Sequence, residues 1–256
     1  MPLVGVLAAI AATTALDLAG YFAFSALPLI PLFFFFWYLE RLKPGEVGFR
    51  LGRPLYYALA ILLPLLVMGA IAAAAAASGV LDTSQADLRK VLLNLALVAS
   101  VSTLMALITE EGFFRGWLWG SLARRGFSNT SILLWTSLAF MAWHISPVVL
   151  ETSFRLPGAQ VPVFLANATL LGLAWGLLRL LSGSILVSSL CHAVWNALAY
   201  VLFGFGTRTG ALGIADTAFY GPEVGLLGLA LNALVVAFLW RLARTRLAAS
   251  SRYSPA

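Results

Sequence analysis

The sequence predicts an all-α fold: an integral membrane bundle of about eight helices, each needing about 20 mostly apolar residues to cross a bilayer. Composition is the first reason. Of 256 residues, 61% are hydrophobic and 10% charged, with a mean hydropathy of +0.95, whereas soluble domains average about 45–50% apolar and about 25% charged. The second reason is that the apolar residues come in runs of spanning length. The third is that the charges lie between those runs. The whole chain, 1–256, reads as one integral membrane domain, because the loops leave no room for a soluble one.

The runs fall near 3–23, 26–39, 54–79, 88–122, 129–150, 162–180, 184–204 and 222–243. Residues 3–16 are apolar without a preceding basic region, so they read as a span and not as a cleavable leader. The second run is short and carries Pro28 and Pro31, which predicts a bent element. It ends in Phe33–Phe36, Trp37 and Tyr38 ahead of a basic loop, an interfacial aromatic belt. In the third, the Ala72–Ala77 run favours close helix packing. The fourth is too long for one simple crossing and is expected to break near Gly112 or Gly116. Gly112 and Gly116 also form a Gly-x-x-x-Gly step, read as packing. A passage for substrate backbone beside it is the alternative reading.

Orientation follows from the basic residues. With the N-terminus inside, Arg41, Lys43, Arg50, Arg53, Arg124, Arg125, Arg179, Arg241, Arg244, Arg246 and Arg252 are cytoplasmic. Only Arg89, Lys90, Arg155 and Arg208 fall outside, beside Asp82, Asp87, Glu151, Asp216 and Glu223. Both termini are expected in the cytoplasm of a cell whose plasma membrane holds the chain, provided the number of spans is even. The net charge of +6 is then juxtamembrane, not the single basic stripe of a nucleic-acid binder. One Cys rules out a disulfide framework, and His144 and His192 are the only imidazoles.

Ionisable side chains inside apolar helices are costly and mark sites. Asp17 stands alone in its span with Thr13 and Thr14 as candidate partners, and reads as structural or protonated. Glu110-Glu111-Gly112-Phe113-Phe114-Arg115 is more telling. Glu111 and Arg115, at i and i+4, share a helix face and can pair. Glu110 points about 100° away and lacks that cation, which suits it to general-base work. Phe140 and His144 share a face on the next helix, as do His192 and Asn196 on a third. Taken singly, such residues are more often hydrogen-bonding partners between helices. Depth joins them: at 1.5 Å per residue, Glu110, His144 and Asn196 lie about 20 Å from the cytoplasmic end and His192 about 13 Å.

Glu-Glu-x-x-x-Arg, then Phe-x-x-x-His, then His-x-x-x-Asn, in that order on three elements, resembles the CPBP family. These are CAAX-processing and bacteriocin-processing intramembrane proteases, also called the Abi or type II CAAX endopeptidase family. The resemblance covers residues 88–205, the motif-bearing core. It implies that Glu110 and His144 activate a water, that His192 and Asn196 stabilise the oxyanion, and that Glu111 and Arg115 organise the site. The expected partners are a membrane-associated protein or peptide substrate and the lipid bilayer. Prenylated substrates, bacteriocin maturation or immunity, and trimming of C-terminal anchors all remain open.

Two mechanisms are compatible with these residues. In one, no cofactor is needed. In the other, Glu110, His144 and His192 hold a zinc ion with an open position for water. The His-Glu-x-x-His signature is absent, and Cys191 should face about 100° away from His192, so the metal-independent mechanism is favoured. Ser182, Ser188 and Ser189 lack a Gly-x-Ser-x-Gly context, which argues against a serine nucleophile. A transporter predicts repeats and a polar path that the chain lacks. A non-catalytic immunity or scaffold protein predicts that Glu110 is dispensable.

Overall fold

A computed structural model describes residues 1–151 and 155–248; Arg252 lies outside them. Among the described residues, seven helices are long and apolar enough to cross a membrane. They are Phe22–Leu39, Pro54–Ala77, Leu88–Arg124, Asn129–Leu150, Gly158–Ser182, Ile185–Phe203 and Leu226–Ala248. An eighth apolar helix, α1 (Pro2–Leu18), is 17 residues long. The protein is an all-α, multi-pass membrane bundle.

Local chemistry sets the element ends. A 3-10 turn at Phe22–Phe24 precedes α2 (Leu29–Leu39), with Pro28 at the N-cap and Pro31 in the first turn. No intrahelical N–H bond is lost there, so the bend expected from the prolines becomes a helix start. After the short α3 (Pro44–Val47) comes α4 (Pro54–Ala77). α5 (Leu88–Ile108) starts on an Asp87 cap, whose side chain accepts from the Lys90 N–H. It breaks at Thr109, three residues before Gly112, where the backbone leaves the helical region at φ −106° and ψ −102°. A π-helix follows over Glu111–Leu118, then α6 (Trp119–Arg124).

The remaining helices are α7 (Asn129–Trp143), α8 (Ile145–Leu150), α9 (Val161–Ser182) and α10 (Ile185–Leu198). Gly183, at φ +74°, ends α9 in the left-handed conformation, and Ser184 caps the N-terminus of α10. Beyond a second π-helix, Ala199–Phe203, a two-residue antiparallel hairpin pairs Gly204 with Thr209 and Phe205 with Arg208. The short α11 (Thr217–Tyr220) precedes α12 (Leu226–Ala248), so Arg241, Arg244 and Arg246 ride the last turns of a helix.

α9 and α10 form the centre: α9 packs on α7 and α12, and α10 on α4 and α5. At Gly172 of α9, an added Cβ would lie 3.2 Å from the Ser137 Cβ and 3.3 Å from the Arg115 guanidinium. That absent side chain lets α7 and α9 close together, the usual means of packing helices in lipid. α5 turns Leu92, Leu93, Leu97, Val101 and Leu104 outward, as a lipid-facing surface should.

The loops sort to two ends. At one, Arg124 grips Glu46 through two bonds of 3.1 and 2.6 Å, Arg125 pairs with Glu40 at 3.1 Å, and the Ser184 hydroxyl donates to the Arg50 carbonyl. Arg246 reaches the Leu180 carbonyl at 3.0 Å. These are the segments expected on the cytoplasmic side. At the other end, the Asp82 N–H donates to the Leu212 carbonyl at 3.1 Å. Asp17 is buried as expected, but its partners are the hydroxyls of Ser25 and of Ser146, the latter at 2.7 Å. Thr13 instead donates to the Ser25 carbonyl and accepts from the Trp143 indole, both at 2.8 Å.

Candidate active site

Glu110 and Glu111 leave the chain where α5 gives way to the π-helix. The wider turn does not part Glu111 from Arg115: their side chains meet at 3.1 Å, both fully buried. Arg115 also donates to the Gly172 carbonyl at 3.0 Å and lies 4.3 Å over the Phe140 ring. A buried charge is costly unless paired, and here a carboxylate, a carbonyl and an aromatic face partner the guanidinium, although its Nε has no hydrogen-bond partner among the described residues. π-turns inside helices are frequent at functional sites because they re-aim side chains.

His144 ends α7. Its Nδ1–H donates to the Phe140 carbonyl at 2.9 Å, which fixes the tautomer and leaves Nε2 for the site. That Nε2 lies 3.9 Å from Glu110 Oε2. His192, on α10, is nearly fully buried and held by three contacts. Its Nδ1–H donates to Glu111 Oε1 at 3.2 Å, and its Nε2 lies 3.8 Å from Glu110 Oε2. Its ring stacks on Trp175 at 3.8 Å. The two adjacent carboxylates thus address the two nitrogens of one imidazole.

A cavity of about 50 Å³ opens on these rings. His144, His192, Asn196, Tyr200 and Glu223 supply its polar lining, and Phe140, Phe164, Leu171 and Trp175 its apolar walls. Room of this size holds more than one water. Asn196 is half-buried, one turn beyond His192, and faces the same space. Of the six expected residues, His144, His192 and Asn196 line this cavity, while Glu110 and Glu111 join it through the two imidazoles and Arg115 through Glu111.

Other expectations fared differently. Cys191 is buried and lines a separate apolar cavity with Leu63 and Val67, away from His192. The Ser188 and Ser189 hydroxyls donate to the Ile185 carbonyl within their own helix. Gly112 and Gly116 meet the Phe33 ring, and Gly116 also Val47. That step is filled by packing, which leaves no passage for a substrate backbone. Among the described residues, no set of three His, Cys, Asp or Glu side chains is disposed to hold a metal ion.

Trp175, Tyr200 and Glu223 line the cavity with no motif to mark them. Trp175 stood in an apolar run with nothing to mark it. Glu223 was assigned to an outer loop, yet it is buried and lines the cavity. Its position at the first residues of an expected span was the one available sign.

Residues 92–198 match a family model described as type II CAAX prenyl endopeptidase Rce1-like. The match runs from α5 to the end of α10 and contains all six motif residues. No curated protein and no solved structure matches the chain.

Proposed function

We propose, for a chain whose residues 92–198 belong to the Rce1-like type II CAAX prenyl endopeptidase family, that the protein hydrolyses a peptide bond in a membrane-associated protein or peptide. The observation that carries this reading is the approach of one carboxylate oxygen, Glu110 Oε2, to the Nε2 atoms of both histidines, at 3.9 and 3.8 Å. A separation near 3.9 Å is one that a water bridges.

Glu110 takes a proton from that water as its oxygen attacks the scissile carbonyl. His144, its Nδ1–H committed to the Phe140 carbonyl, orients the water through the Nε2 lone pair. The carbonyl oxygen acquires negative charge, and Asn196 offers an amide N–H to it. Glu111 fixes His192 through Nδ1–H, so donation from Nε2 calls for the doubly protonated ring, which sits between two carboxylates. Arg115 neutralises Glu111 and locks it in place. No step requires a cofactor.

The charge distribution supports both termini lying in the cytoplasm, which requires α1 to cross as an eighth span beside the seven longer helices; the plasma membrane is the membrane we assign. The test of function is cleavage of membrane-anchored peptides by purified protein, wild type against Glu110→Gln, with and without a strong zinc chelator. The expected result is loss of cleavage in the variant and no effect of chelator. Loss with chelator would move the chemistry to a zinc ion, and full activity of Glu110→Gln would remove the glutamate mechanism.

A further inference from the structure

We propose that Glu223 is a further catalytic residue of this site, the acid that protonates the departing amine. This rests on the peptidase reading above, which assigns a base for water and donors for the oxyanion but no proton source for the leaving nitrogen. An amine anion is too poor a leaving group to depart without one.

Glu223 lies in the segment between the hairpin and α12, outside the seven spanning helices. Two asparagines hold that segment in the bundle. Asn167 of α9 donates to the Glu223 carbonyl at 2.9 Å, and Asn232 of α12 bridges Asn167 at 2.8 Å and the Pro222 carbonyl at 3.3 Å. This backbone clamp turns the side chain inward, where it is 6% exposed and lines the cavity with His144, His192 and Asn196. One carboxyl oxygen accepts from the Trp195 indole at 2.8 Å. The other, Oε2, is buried with no hydrogen-bond partner among the described residues.

Among the described residues, no Lys or Arg lines the cavity. An ionised carboxylate would leave Oε2 buried and uncompensated at a large cost, whereas the acid form carries on that oxygen an O–H to donate. The titratable groups facing it are His144, His192, Tyr200 and Glu110. Glu110, by contrast, places its Oε2 3.9 Å and 3.8 Å from the Nε2 atoms of His144 and His192. Two carboxyls in unlike surroundings divide the acid and base roles.

In the step itself, the tetrahedral intermediate collapses and the C–N bond breaks. Its electron pair stays on nitrogen, which takes the proton from Glu223 Oε2. Glu110 then holds the proton removed from water. Its return to Glu223 through cavity water resets both groups, leaving a carboxylic acid and an amine from one amide and one water.

Two measurements test this on the full-length protein. The first needs no substrate: an infrared difference spectrum of wild type minus Glu223→Gln at neutral pH. The carbonyl stretch of a protonated carboxyl is expected in the wild type, and its absence overturns the proposal whatever the enzyme's activity. The second compares an internally quenched peptide ending in a prenylated Cys-aliphatic-aliphatic-X sequence with its analogue carrying an ester at the scissile position. An alkoxide leaves with far less help than an amine anion. Glu223→Gln is therefore expected to lose about 10²-fold or more in kcat on the amide while staying within a few-fold of wild type on the ester. Retained ester cleavage shows that the variant is folded. Equal loss on both substrates, or undiminished amide cleavage, overturns the acid role. A wild type that cleaves neither removes the peptidase reading, and the acid role with it.

Discussion

His192 lies flat on Trp175, with ring centroids 3.8 Å apart and planes 11° from parallel. Glu111 holds the same imidazole in its plane through Nδ1, so the ring is fixed in both tilt and rotation. An oxyanion donor, the role proposed for His192, works through placement before the reaction starts. A misplacement of about 1 Å can cost about 10²-fold.

That stacking gives the first prediction. Trp175→Ala is expected to lower kcat by about 10- to 100-fold with little change in KM, because the lost wall lets the ring turn but removes no reacting group. Trp175→Phe keeps a flat face and should recover most of the rate. Steady-state kinetics on the two variants decide it, and equal losses in both would show that the indole acts in some other way.

Asn196, which lines the cavity, is the proposed oxyanion donor that carries no charge. Its replacement by Ala should reduce kcat by about 10² to 10³-fold, the cost of one missing oxyanion donor. Because Asn196 is half-buried at the cavity wall, thermal stability should change little. A variant with normal stability and normal kcat would move the oxyanion elsewhere.

The buried pair Glu111–Arg115 makes the opposite demand. Arg115→Ala leaves Glu111 as a buried charge facing His192, and removal of one partner from such a pair costs about 3–5 kcal/mol. The expected result is a clear drop in the thermal midpoint of the detergent-solubilised protein. The doubly substituted Glu111→Gln, Arg115→Met protein should recover part of it, since no lone charge then remains. A single variant as stable as wild type would mean that water reaches this pair.

Which parts of this could be read in advance depends on how far apart the partners are in the chain. The i, i+4 pairs Glu111–Arg115, Phe140–His144 and His192–Asn196 are set by helix geometry, so the sequence alone exposes them. Their convergence followed from the cost of burying polar groups in lipid. The chain break was legible only in outline, because glycines at 112 and 116 suggested a weak point while the backbone departs at Thr109. Those glycines are instead consumed by the Phe33 and Val47 contacts. Long-range partners were hidden. Asp17 finds Ser25 and Ser146, not the threonines beside it in its own helix. Trp175 and Glu223 reach the site through tertiary packing, to which helical period is blind.

At the basic end, Glu46 joins α3 to α6 through Arg124, at 2.6 Å and 3.1 Å. Burial pushes its carboxyl upward, but the hydrogen bonds and charge of Arg124, with the Lys43 N–H, outweigh that and hold it below the ordinary value of 4.5. The sign follows from linkage. A carboxylate with a lowered folded-state value stabilises the fold fully above its unfolded value, and that contribution is lost as pH falls through the folded one. Glu46→Gln should therefore lower the thermal midpoint at neutral pH and flatten its decline on the acid side of 4.5. Arg124 is partly exposed, and salt weakens such pairs, so the difference between wild type and variant should shrink at high ionic strength. Midpoints measured across that pH range at two salt concentrations test it. An unchanged acid limb in Glu46→Gln would show that Glu46 does not govern the acid stability of this end.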